Sequence, residues 1–218
     1  IWPPKGQQRI QYFLDAKGKL NTSSSDEHLG MDEYIVDFSV STGTNNRWTT
    51  QMGKHILNLE NRNAADSLML TYTTEPLAEP LQITGTPVIS LNLSSTHSEG
   101  EIFVYLEDVD PSGKSRYITE GGLLLEHRKL SKNDMFNEIP YHSFRESDAS
   151  PMPIDKIEEV SFKLHPTSIL IKKGHSIRIA ISGADKDTFD KVPTEGIPTL
   201  NIYRNKTNKS FLELPIVK

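Results

Sequence analysis

The sequence predicts an all-β fold, a two-sheet jelly-roll sandwich, on three observations. Four runs alternate apolar and polar residues: Val88 to Ser95, Ile102 to Val109, Glu159 to Leu164 and Ser176 to Ser182. A period of two puts successive side chains on opposite faces of a pleated strand. No amphipathic helix of comparable length competes with these runs, and clusters of Gly, Pro, Asn, Asp and Ser interrupt the chain as turns between strands require. About ten to twelve short strands with several long crossovers suit a jelly roll better than a meander barrel.

Along the chain, Gln11 to Leu14 reads as a strand that turns at Asp15-Ala16-Lys17-Gly18-Lys19 before Leu20, an opening hairpin. The serine-rich stretch Asn21 to Asp26 is a solvated loop and Tyr34 to Phe38 a short strand, so residues 1–33 form a lead-in hairpin and loop. Ser39 to Lys54 is a long polar loop, and loops beyond about 12 residues are often functional. One helical turn is expected at Ala64 to Leu68, then extended segments at Leu70 to Thr73 and Leu81 to Thr84, with Pro87 opening the first alternating run. There Ile89, Leu91 and Leu93 belong on a dry face, and Ser90, Asn92 and Ser94 on a wet one. The second run is apolar on both sides, with Ile102, Val104 and Leu106 backed by Phe103, Tyr105 and Val109, so it lies centrally or between layers.

Asp110-Pro111-Ser112-Gly113 has proline and glycine where a tight turn wants them, pairing Ile102 to Asp110 with Ser115 to Thr119; Glu120 to Arg128 continues as strand. Ser131 to Ser150 is irregular, with Ser131 reaching Asp134 as a cap. Lys172 to His175 turns the chain between Ser168 to Ile171 and the fourth run. Asp185 to Pro198 is a second long loop, and Leu200 to Arg204 and Phe211 to Leu214 close the sheets. Strand order is not legible.

The chain has 218 residues, which a single sandwich domain accommodates, and a hydrophobic content of 35% suits a thin core between two sheets. A net charge of −5 with both signs interspersed offers no basic stripe for phosphate backbones, so nucleic acid is not an expected partner. The absence of cysteine excludes disulfides, thiolate metal sites and a cysteine nucleophile. No apolar segment approaches the roughly 20 residues of a membrane span, so no membrane partner is expected. The chain is read as soluble, with cytoplasm and secretion both open, and its start at Ile1-Trp2-Pro3-Pro4 as that of a piece of something larger.

The motifs for chemistry are thin. No Gly-x-Ser-x-Gly elbow is present, and a serine hydrolase of the α/β type needs that sharp turn to expose its nucleophile. Asp108-x-Asp110-x-Ser112-Gly113 opens like a calcium loop, but its twelfth place holds Thr119 rather than a bidentate glutamate, and a hairpin turn explains it better. Catalytic residues, metal ligands and cofactors are therefore all expected to be none. The loop Thr42 to Trp48 does concentrate an aromatic, a guanidinium and two amides, and Asn45, Asn46, Arg47 and Trp48 are its candidates for a ligand or partner surface. The competing reading is a loop pinned by its own tryptophan.

Three segments in order resemble one known family: Leu70-Thr71-Tyr72-Thr73-Thr74-Glu75-Pro76-Leu77, Leu81-Gln82-Ile83-Thr84-Gly85-Thr86-Pro87-Val88 and Val104-Tyr105-Leu106-Glu107-Asp108-Val109-Asp110-Pro111-Ser112-Gly113. Thr119-Glu120-Gly121, Gly174-His175-Ser176-Ile177-Arg178-Ile179-Ala180-Ile181-Ser182 and Ser210-Phe211-Leu212-Glu213-Leu214-Pro215 continue the resemblance. The family is the C-terminal non-catalytic domain of X-prolyl dipeptidyl peptidases and cocaine-esterase-like (CocE/NonD) hydrolases. The resemblance implies a galactose-binding-like jelly roll following an α/β-hydrolase catalytic domain that holds the serine, aspartate and histidine, so no catalytic position transfers here. It also implies that the sandwich packs on that domain, its partner in the same polypeptide, and that the early loop, Asn45 to Trp48 in this chain, helps wall the substrate pocket. A homo-oligomer is left open, as is the substrate. The alternative is a carbohydrate-binding jelly-roll module using Trp48, Tyr141 and Tyr203.

Overall fold

The four alternating runs are strands, with bounds within one residue of those read from the sequence. The computed structural model describes residues 4–50, 61–132 and 139–217. Its strands, in chain order, are β1 (Gln7–Asp15), β2 (Lys19–Asn21), β3 (Met31–Ile35), β4 (Leu70–Thr73), β5 (Leu81–Gly85), β6 (Val88–Ser95) and β7 (Glu101–Val109). Then come β8 (Ser115–Leu124), β9 (Glu158–Lys163), β10 (Thr167–Ile171), β11 (Ser176–Ser182), β12 (Thr199–Tyr203) and β13 (Phe211–Val217). Two single helical turns, α1 (Arg47–Thr50) and α2 (Asn63–Asp66), interrupt them. The expected cap from Ser131 to Asp134, and residues 51–54 of the long polar loop, lie outside the described residues.

Hydrogen bonding links the strands in the order β3-β12-β6-β13-β1-β2-β4-β11-β7-β8, with β9 added on β6, and β5 joining β13 to β10. Among the described residues every pairing is antiparallel except the β2–β4 contact of Lys19 with Thr73. The order doubles back on itself. Ile89, Leu91 and Leu93 of β6 and Leu212 and Leu214 of β13 share one core with Val104 and Leu106 of β7 and Ile177, Ile179 and Ile181 of β11. All ten are 0% exposed, each worth roughly 1.5–3 kcal/mol of apolar burial, so this shared core is what holds the two layers face to face. The turn Lys172–His175 serves the same end: β10 pairs with β5, but β11 pairs with β4 and β7, so the turn passes the chain from one layer to the other.

Three expectations are adjusted by the pairing. The strand expected at Tyr34 to Phe38 lies at Met31–Ile35, because its partner β12 begins at Thr199, and Pro198 before it has no N–H to extend the ladder. Strand β8 stops at Leu124 opposite Glu101, the first residue of β7, and continues as a 3-10 turn at Leu125–His127 rather than as strand to Arg128. The face of β6 expected to be wet is covered: Ser90 and Ser94 are 3% and 1% exposed. Small hydroxyls make this tolerable, because Ser90 is bonded by Ser161 at 2.7 Å and Ser94 lies 3.3 Å from the Tyr203 hydroxyl.

Strand β7 is buried on both faces. Ile102, Val104 and Leu106 enter the main core, while Phe103 and Tyr105 form a second cluster with Val40, Met69, Tyr117 and Ala180. The segments around Val40 and Asp185 reach over that outer face, tied by Lys186 N–H to Val40 C=O at 3.0 Å. At its far end β7 turns into β8 through Asp110–Gly113, where Gly113 sits at φ +83°, a left-handed conformation that suits glycine.

Candidate functional site

The outer face of β7 carries charge as well as rings, since alternation points Glu101, Phe103, Tyr105 and Glu107 the same way. Glu107 is 0% exposed, accepts Nε–H of Arg62 at 3.3 Å and is bonded by the Ser115 hydroxyl. Its burial, with Asp66 nearby, pushes the carboxyl up to about 7. Arg62 also stacks over the Tyr105 ring at 4.8 Å, and Asp66 of α2 pairs with Arg178 of β11 at 3.0 Å. The Tyr105 hydroxyl donates to Asp185 at 3.1 Å, and Asp185 in turn accepts Thr42 N–H and Oγ1–H at 3.0 and 2.6 Å. This buried network pins both long loops to the sheet.

Within the first loop the four candidate residues do different things. Asn45 is exposed. Asn46 is 4% exposed and caps α1: its Oδ1 accepts Trp48 N–H at 3.0 Å and Thr49 N–H at 3.1 Å, while its Nδ2 donates to Thr42 Oγ1 and Gly43 C=O, each at 2.9 Å. The expected structureless loop thus contains a capped helical turn. Arg47 Nε–H donates to the Tyr117 hydroxyl at 3.0 Å. Trp48 is half-buried, edge-on to Phe189 at 5.3 Å and to His165 at 5.5 Å. The tryptophan therefore anchors its loop and also lines a groove.

That groove, about 810 Å³, runs between the Gly121–Leu124 edge of β8, the segments Pro140–Phe144 and Phe162–Pro166, and Phe189 and Asp190 of the second loop, with Trp48, Glu101 and Phe103 also lining it. Its size falls in the range of about 300–1,000 Å³ of small-ligand sites. Glycine makes its floor. A Cβ on Gly122 would stand 2.6 Å from the Phe103 ring and one on Gly121 2.6 Å from the Lys163 carbonyl, so only glycine lets the ring and the β9 exit lie against β8. Two carboxyls in this part of the fold, Glu120 and Glu101, are raised by their surroundings. Burial, then Asp185, push Glu120 up to about 7; burial, then Asp185 and Asp190, push Glu101 up to about 8. Burial and the charge of Arg47 lower the His165 pKa.

Other sequence candidates do not converge. Asp108 accepts His175 Nδ1 at 2.7 Å, whereas Asp110 accepts the N–H groups of Ser112 and Lys114, so the carboxylates of the calcium-like turn face different partners. Trp48 and Tyr141 line the groove, but Tyr203 lies on β12 with its hydroxyl toward Ser94. Among the described residues the hydroxyl–imidazole hydrogen bond is Thr96 to His97 at 2.9 Å, in an exposed turn, and no serine hydroxyl bonds an imidazole. Sequence reasoning missed Glu101, Glu120 and Phe189. The available signal was a charge at each end of the outer register of a strand apolar on both faces, Glu101 and Glu107 flanking Phe103 and Tyr105.

Similarity to known proteins agrees with this architecture. A Mycobacterium bovis protein named, provisionally, as a serine esterase is 42% identical over 221 residues, covering 100% of this chain and 35% of that protein. The cocaine esterase of Rhodococcus sp. is 24% identical over 162 residues, 69% of this chain and 26% of that one. The chain thus spans about a quarter to a third of the length of the curated relatives it matches. Among solved structures, an aminopeptidase from a marine sediment Thaumarchaeota archaeon superposes with a TM-score of 0.79 at 20% identity, over 100% of this chain and 38% of that one. A CocE/NonD family hydrolase from Staphylococcus aureus superposes at 0.75 and 15% identity, with the same coverage. At such identities these two speak for the fold alone. The match that speaks for more runs from residue 1 to residue 213, and by it this chain belongs to the X-Pro dipeptidyl-peptidase C-terminal non-catalytic domain family.

Proposed function

We propose that this chain is the non-catalytic β-sandwich of a serine acyl hydrolase, that it packs on the catalytic part of the same polypeptide, and that Asn45 to Trp48 stand where the two meet and shape substrate access. The observation that carries the reading is the family match over residues 1–213, joined to a described structure in which no serine hydroxyl bonds an imidazole. In the whole enzyme a serine elsewhere attacks an ester or amide carbonyl, with histidine as base and an oxyanion hole stabilising the intermediate. This chain supplies walls. Trp48 suits that role because its ring is held by Phe189 and His165 while it still lines the groove. A sugar-binding module draws support from Trp48 and Tyr141 sharing the groove, but Tyr203 is elsewhere, so a three-ring platform is not assembled.

The test is turnover of p-nitrophenyl acetate. The full-length protein hydrolyses it and loses activity to a serine-directed phosphonate; the 218-residue chain does not hydrolyse it. Trp48→Ala in the full-length protein raises KM about tenfold with kcat within a factor of about two, the mark of lost uniform binding. Phosphonate-sensitive turnover by the chain alone, or unchanged kinetics in a destabilised Trp48→Ala protein, refutes the reading.

A further inference from the structure

Glu101 is a buried acid without a partner. Its side chain is 6% exposed, it lines the groove, and no hydrogen bond or ion pair reaches it among the described residues. The charges that raise its pKa after burial itself, Asp185 and Asp190 from the second loop, have its own sign. Lys163, His165 and His142 also line the groove, and none of them pairs with it. A carboxyl that opens onto a groove and has no protein partner there is a candidate ligand contact. Rings complete the setting: Phe103, two residues along the same face, lies 4.8 Å from Phe189, and Phe189 lies 5.3 Å from Trp48. A carboxyl and ring faces, with no positive group paired to the carboxyl among the described residues, attract a cation, and the apolar walls favour one on a hydrophobic stem.

We propose that the Glu101 end of the groove binds an organic cation, an ammonium or guanidinium carried on an apolar or aromatic stem, with Glu101 as counter-ion and Phe103, Phe189 and Trp48 as walls. The inference goes beyond the accessory role above and does not rest on it. An anion meets the acids Glu101, Asp185 and Asp190, and a neutral ligand gives the Glu101 carboxyl no counter-charge to ionise against. Because burial and those two acids keep Glu101 protonated up to about 8, a cation that binds at neutral pH expels a proton. Affinity then rises about tenfold per pH unit up to that value and levels off above it.

Phenethylamine is the probe and phenylpropanol its uncharged counterpart, each titrated into the 218-residue chain while NMR follows the Trp48 indole N–H and the Gly122 amide. Phenethylamine binds about tenfold or more tightly than phenylpropanol, Glu101→Gln removes that difference, and binding in buffers of different ionisation enthalpy reports about one proton released at pH 6.5. Equal affinity for the two probes, unchanged binding by a folded Glu101→Gln chain, or no movement of either signal overturns the proposal. Titration of the full-length protein identifies the source of the cation. Retained binding identifies a free small molecule. Exclusion of the probe, with a Glu101→Gln protein less stable than wild type, identifies a Lys or Arg side chain from elsewhere in the polypeptide. Exclusion with no such loss counts against the site.

Discussion

Replacing Glu101 with glutamine keeps the side chain's shape and removes its titration, so the difference between the two proteins isolates one buried carboxyl. Unfolded, the group titrates near its ordinary 4.5; in the fold it titrates at about 8. Between these values the native state holds a proton that the unfolded state has lost, so this carboxyl lowers stability as pH rises, by up to ~1.4 kcal/mol per pH unit. Unscreened, that accumulates to roughly 5 kcal/mol by pH 8, and with solvent reaching the groove we take about 2 kcal/mol. Below pH 4.5 both states are protonated and the contribution vanishes. Glu101→Gln therefore stabilises the chain by about 2 kcal/mol at pH 8.5, raising Tm by roughly 4–8 °C, and leaves it unchanged at pH 4.5. Urea unfolding of both proteins at pH 4.5, 6.5 and 8.5 measures this, and Glu107 and Glu120, which shift the same way, cancel in the difference. A stability difference that stays flat across this range, or a glutamine variant weaker at pH 8.5, refutes the reasoning.

Asn46→Ala removes the α1 cap and the bonds to Thr42 and Gly43, and should lower stability by about 2 kcal/mol, with faster hydrogen exchange at the Trp48 and Thr49 amides marking the lost cap. Protection at those amides equal to wild type would show that the loop is held without it. Tyr72→Phe deletes a hydroxyl that donates to Asp32 at 2.6 Å inside the core; Arg204 still holds Asp32 at 2.7 Å, so the loss should be about 1.5 kcal/mol by urea unfolding. A loss above about 3 kcal/mol would mean that Arg204 does not compensate.

Much of the fold is written locally. A run such as Ser176 to Ser182 declares its two faces by alternation, and Asp110–Gly113 declares its turn by proline and glycine, because pleating and backbone sterics act over a few residues. Even Phe103 and Tyr105, apolar opposite Val104 and Leu106, announced a strand buried on both sides. The candidate site was legible only in part. Trp48 stood out as an aromatic in a polar loop, but Asn46, which looked like a ligand contact, is a helix cap, since only folding decides whether an amide faces a neighbouring N–H or the outside.

Glu120 and Phe189 carried no local mark and Glu101 only its place at one end of the outer register of β7, because the three are brought together from β7, from β8 and from a loop some seventy residues further on. By itself, then, the sequence determined which segments are strands and which face of each seeks the core, since both follow from side-chain period and turn chemistry. Tertiary structure alone decided the strand order, the covering of β6's hydroxyl face, and the unpartnered carboxyl of Glu101. These depend on which distant segments share a surface and how much water is left between them, and no short stretch of chain encodes that.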